Sequence, residues 1–193
     1  MTRLLWAESA VEPTPDHCNS PGLVNTGGMR LTNLATRPLT YSEVGATAGA
    51  LPAGYHHVRQ SAPIGSGRRR FEDAGEAVMR WGMQRGAGLN VESNSPVADV
   101  GVLLIVRIGP LSAPCRVVHV VNEPDRRGFA YGTLRGHPES GEELFAVRYD
   151  QATDAVYAEV TAFSRHATWW SRLGAPVTSL AQRVITNRYL KAL

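Results

Sequence analysis

Four titratable side chains, His137, Glu139, Glu142 and Glu143, fall within seven residues of this 193-residue chain. A histidine beside carboxylates can bind a metal ion or pass a proton, because imidazole changes charge near neutrality and both groups are metal ligands. Gly136, Pro138 and Gly141 interrupt the same stretch, so it reads first as a hairpin loop with solvated charges. Nothing else in the chain supplies a third ligand, and the sequence calls for no metal and no cofactor.

Strand geometry sorts the other candidates, because alternate side chains point to opposite faces. Phe129, Tyr131 and Thr133 share a face of one predicted strand, and Glu143, Phe145, Val147 and Tyr149 share a face of the next. With Phe129 and Phe145 turned inward, Tyr131, Thr133 and Glu143 face the same interior. His119 joins them if its strand turns Val117 and Val121 the same way. Trp81, from the apolar face of a preceding helix, is the last candidate. Apolar walls with a few convergent polar groups suit a small-molecule site. The same groups could equally pair among themselves as a buried network. Glu143 is the first to test, since an inward carboxylate in an apolar pocket has a raised pKa and can act as acid or base.

Other motifs carry less. Gly65-Ser-Gly67 resembles a phosphate loop, but Arg70 stands where a third glycine belongs and no βαβ alternation follows. Ser164 lies near His166 without the elbow that a nucleophilic serine needs. Arg68-Arg69-Arg70 can meet a phosphate backbone, or serve as a solvated helix face. Trp169 and Trp170 can line a cavity entrance or anchor a helix on a sheet. Cys18 and Cys115 share no motif, and Cys115 at a strand start reads as a small buried thiol.

These residues must be positioned by a simple order of elements. Residues 1–28 are broken by prolines, glycines and asparagines and read as a flexible tail, with Met29 a possible true start and 29–193 a single domain. Thr40 and Glu43 form a capping box for a short helix ending near Gly49. A strand over Tyr55–Gln60 precedes a helix whose apolar face is Phe71, Ala74, Val78 and Trp81, ended by Gly86 and Gly88. Six strands follow between Leu89 and Phe163 with no helix among them, joined by turns such as Asn122–Asp125 and Asp150–Asp154. Connections of this length require antiparallel pairing. Val100–Val106 is apolar throughout and is expected to be covered on both faces. Val156, Ala158, Val160 and Ala162 should share one face of the last strand. A long helix from Pro176, with Val177, Leu180, Ala181, Val184 and Ile185 as its buried stripe and Arg188 and Lys191 near its end, closes the chain.

The stretch Phe129–Glu143, together with Tyr41–Ala46, Arg116–Val121 and Ala162–Arg165, resembles the DUF1990 (UPF0548) family of uncharacterised proteins over roughly Met29 to Leu193. No activity or catalytic residue comes with that resemblance. The segment order is also similar to the START/polyketide-cyclase (SRPBCC) superfamily, which implies a hydrophobic ligand by analogy of fold.

The expectation is an α+β helix-grip domain, with a curved antiparallel sheet of about seven strands wrapped around a long C-terminal helix. It would bind a small hydrophobic molecule through His119, Tyr131, Thr133, Glu143, Phe145 and Trp81. The net charge of +3, the 43% hydrophobic content and the lack of a long apolar run fit a cytoplasmic protein without membrane insertion. One alternative is a cyclase- or hydrolase-type enzyme using Glu143, His119 and Tyr131. The other is a nucleic-acid or protein interaction module using Arg68–Arg70, and nucleic acid is the less expected partner.

Overall fold

The computed structural model describes residues 29–166 and 186–193. Seven antiparallel strands form one curved sheet: β1 (His56–Ser66), β2 (Asn90–Ser93), β3 (Leu103–Ile108), β4 (Leu111–Glu123), β5 (Arg126–Thr133), β6 (Glu139–Asp150) and β7 (Ala155–His166). Their spatial order is β1-β7-β6-β5-β4-β3-β2, so every chain neighbour from β2 to β7 is also a sheet neighbour. The one long connection, from β1 to β2, carries the helices α1 (Arg68–Met79) and α2 (Gly82–Gly86). Residues 186–190 form a further helical segment, α3. The chain is an α+β helix-grip protein. The rest of the expected long terminal helix, the two tryptophans before it and the expected tail over 1–28 lie outside the described residues.

The strands form where alternation and turn chemistry agree. Pro124 and Asp125 join β4 to β5, and β6 ends at Asp150, five residues before β7 begins. The expected apolar run is covered on both sides only from Leu103, where β3 begins, and Val100 ahead of it is exposed. Leu104 and Val106 belong to the main core on the concave face, while Leu103 and Ile105 pack with Leu34 and Leu134 on the other. A strand buried on both faces reads as a continuous apolar run for this reason.

Helix α1 lies against β5 and β6, with Phe71, Ala74 and Val78 buried. It stops at Met79, seven residues before the expected end, because Trp81 adopts a left-handed conformation with φ 66°. That conformation costs a non-glycine residue roughly 1–2 kcal/mol. It is offset by complete burial of the indole, by a T-shaped contact with Phe129 at 5.0 Å and by a hydrogen bond from Nε1 to the Ser95 carbonyl at 3.3 Å. Burying a side chain of this size contributes about 3 kcal/mol.

One expectation is corrected. The helix predicted from Thr40 does not form; only a single 3-10 turn, Ala46–Ala48, is present. Thr40 instead runs beside Thr133, to whose carbonyl its backbone N–H donates at 3.1 Å. The Glu43 carboxylate accepts from Ser42 and from the Tyr55 hydroxyl at 2.9 Å. The capping box is lost because tertiary partners outbid a marginal local helix. In β7, Val156, Ala158, Val160 and Ala162 share the concave face as expected, with Ala162 opposite Glu143, while Phe163 is buried on the other face. There it meets Tyr41 and Tyr55 edge-on at 5.5 and 5.0 Å.

Candidate functional site

The concave face carries a continuous aromatic row. Register places Val120, Phe129, Phe145 and Val160 directly opposite one another on β4, β5, β6 and β7. Phe129 lies 5.7 Å from Phe145, which meets Tyr189 of α3 at 5.0 Å in a T-shaped contact. In the neighbouring row Tyr131 stands opposite Glu143, and its hydroxyl donates to Glu143 Oε2 at 3.0 Å. Tyr131, Glu143 and Phe145 are therefore brought together as the alternation implies, and Trp81 packs on the same face against Phe129.

Glu143 is the chemical centre of this group. It is the one partly accessible residue between buried stretches on both sides of it in β6. Burial pushes its pKa up to about 7; the Tyr131 hydrogen bond opposes the rise and the nearby Glu139 charge adds to it. Tyr131 and Tyr189 are both held well above the usual phenol range, by burial first and then by Glu143. The buried Cys115 thiol is raised for the same two reasons. A carboxyl that titrates near neutrality among two phenols can hold, give or take a proton within an apolar enclosure.

Two candidates go elsewhere. A bulge shifts the β4–β5 register between Val117 and His119, so Val117 faces Tyr131 while His119 faces Ala130. Val121 then packs with Ala130 and Leu144 on the outer face. His119 is thereby placed on the outer side, because one extra residue in a ladder exchanges the faces of all that follow. Thr133 stays on β5, but its hydroxyl is spent on the end of the ladder. It accepts from the Gly141 N–H at 3.0 Å and faces the Gly141 carbonyl and the Thr40 hydroxyl.

The loop of His137, Glu139, Glu142 and Glu143 is divided by the same alternation. His137 Nδ1 accepts from the Glu139 N–H at 2.9 Å, and burial lowers the ring's pKa to about 4. Glu142, on the outer face, is 2% exposed and accepts from the Tyr41 hydroxyl and the Gly45 N–H, each at 2.7 Å. It also accepts from both the N–H and the hydroxyl of Thr47. Four donors to one carboxylate fasten segment 41–47 across the sheet. Gly132 permits the arrangement, since a Cβ there would overlap the Tyr41 hydroxyl. Among the described residues no three histidine, cysteine, aspartate or glutamate side chains converge as metal ligands.

The arginine cluster is largely engaged. Arg68 pairs with Glu72 and Asp125, Arg69 approaches Asp73 at 3.8 Å, and Arg70 donates to the Ile64 carbonyl. Gln84 of α2 and Tyr189 were not singled out in the sequence. Gln84 is fully buried, and neither carboxamide atom has a partner among the described residues. Its only sequence signal is a polar residue between the core positions Met83 and Ala87, which reads as an exposed helix position when α2 is taken as part of a longer helix.

The comparisons agree with this architecture. A UPF0548 protein of Deinococcus radiodurans is 35% identical over 177 residues, spanning 80% of this chain and 85% of that protein. The UPF0548 protein At2g17695 of Arabidopsis thaliana is 30% identical over 132 residues, 62% of each chain. The crystal structure of hypothetical protein jhp0584 from Helicobacter pylori superposes with a TM-score of 0.52 at 8% identity, covering 70% of this chain and 86% of the other. Residues 40–192 match the domain of unknown function DUF1990, and with these relatives the aromatic row, the Tyr131–Glu143 pair and the Glu142 anchor are features of a chain that belongs to that family.

Proposed function

We propose that this protein holds a small, mainly apolar molecule against the concave face of its sheet, with the Tyr131–Glu143 pair reading a polar group on it. The observation that carries this reading is the Glu143 carboxyl, with a pKa near 7, bonded to Tyr131 in the row beside Phe129 and Phe145 on the concave face. A carboxyl with a single hydrogen-bonding side chain, Tyr131, is costly to keep in such surroundings unless a ligand meets it. A cytosolic place of action belongs to this proposal, and no described helix is long and apolar enough to cross a membrane.

Native mass spectrometry of the purified protein mixed with a small-molecule extract tests it. One adduct of a few hundred daltons per chain is expected, weakened by Tyr131→Phe and Glu143→Gln. No adduct, or one indifferent to both substitutions, overturns the reading. The same pKa near 7 favours a second reading, acid–base catalysis by Glu143 on the bound molecule. It requires turnover that Glu143→Gln abolishes while binding persists. His119 has no part in it, being on the other face.

A further inference from the structure

A second site lies on the opposite face of the sheet. A groove of about 400 Å³ opens there, lined by Arg59, Gln60 and Ser61 of β1, Arg126 of β5, Arg148 of β6, and Glu159 and Thr161 of β7. Its volume is that of a small-ligand site. Strand register explains how residues so far apart in sequence meet. Arg126 stands directly opposite Arg148, Glu159 opposite Ser61, and Thr161 opposite Arg59.

Two arginines directly opposite each other on paired strands repel. One carboxylate bridges them: Glu159 accepts from Arg148 Nε at 2.8 Å through Oε1 and from Arg126 Nε at 3.2 Å through Oε2. The Arg148 guanidinium also lies over the Tyr157 ring at 4.6 Å, which fixes its plane. Arg59 donates through Nη2 to the Gly49 carbonyl at 2.8 Å. Three cations thus line the groove with one carboxylate, while Asp150 sits beyond the lining, 3.9 Å from Arg148, and Glu123 stands across from Arg126. The Nη atoms of Arg126 have no hydrogen-bond partner among the described residues. What remains is a set of preoriented guanidinium forks with two nearby hydroxyls, in a lining where arginines outnumber carboxylates.

We propose that this groove binds the phosphate monoester of a small molecule. A tetrahedral oxyanion matches paired guanidinium forks, with Ser61 and Thr161 as additional donors. The site is independent of the concave face, and it stands or falls apart from the reading given above.

The test is an NMR titration with phenyl phosphate, inorganic phosphate and, as the uncharged control, phenol. Phenyl phosphate and phosphate should saturate at one per chain, moving the signals of Arg59, Ser61, Arg126 and Arg148, and phenol should not. Arg148→Gln and Arg59→Gln should each weaken binding at least tenfold in variants whose spectra remain those of the folded protein. Glu159→Gln should strengthen it several-fold, because it frees both Nε edges and removes a competing anion. Vesicles containing phosphatidic acid present the same group on a surface. Their binding through these arginines would assign the phosphate to a lipid headgroup, and their failure to bind would assign it to a soluble molecule. The proposal is overturned if phenyl phosphate does not saturate, if phenol moves the same signals, if the arginine variants bind unchanged, or if the response maps to Arg68–Arg70 instead.

Discussion

Replacing Glu143 by glutamine should make the protein more stable at neutral and higher pH but not in acid, by an amount that depends on pH. In the unfolded chain this carboxyl titrates at its ordinary value of 4.5, and in the folded protein at about 7. Below pH 4.5 both states hold the proton and ionisation has no effect. Between 4.5 and 7 the unfolded chain releases its proton while the folded protein retains it, so stability falls as pH rises. Above 7 the loss is complete. At 1.36 kcal/mol per pH unit it amounts to roughly 3 kcal/mol. Glutamine cannot ionise and escapes this loss. It bonds Tyr131 less strongly, which subtracts about 1 kcal/mol at every pH. The advantage of Glu143→Gln over the wild type should therefore grow by about 2.5 kcal/mol between pH 5 and pH 8. Urea unfolding of both proteins, followed by circular dichroism at the two pH values, measures it, and all other titrations cancel in the difference. A difference that is the same at both pH values refutes the placement of an enclosed carboxyl on the concave face.

His137 has the opposite sign. Its folded pKa of about 4 lies below the ordinary 6.5, so the stability it contributes is present above 6.5 and lost as pH falls toward 4. Wild type should lose up to about 3 kcal/mol over that range that His137→Gln keeps, as urea midpoints at pH 7 and pH 4 will show. Glu142→Ala strips the acceptor from four donors and should cost about 3 kcal/mol or more, with loss of hydrogen-exchange protection at Gly45 and Thr47. Gln84→Leu removes a fully buried carboxamide that has no partner among the described residues and should raise the stability of the ligand-free protein by about 1–3 kcal/mol. A lower unfolding midpoint for Gln84→Leu would mean that the carboxamide is already satisfied.

Segments of strict alternation were readable without coordinates. Tyr131, Glu143 and Phe145 meet because side chains two apart in a strand share a face, and the turns at Pro124 and after Asp150 set which strands pair. Trp81 was placed by helical spacing and does face Phe129, although it lies beyond the helix that suggested it. His119 was misplaced by the same rule, for alternation assumes an unbroken ladder and a bulge follows Val117. The capping box at Thr40 was a sound local signal defeated by distant partners, Thr133 for the threonine and Tyr55 for Glu43.

By itself the sequence determined the sheet, its turns, the doubly covered strand β3 and the inward turn of Glu143, because each depends on residues within a few positions of one another. Only the tertiary structure decided where His119 went, what Glu142 holds, and that Arg59, Arg126, Arg148 and Glu159 border one groove. Those depend on register between strands far apart in the chain, and register is settled by the pairing of the whole sheet.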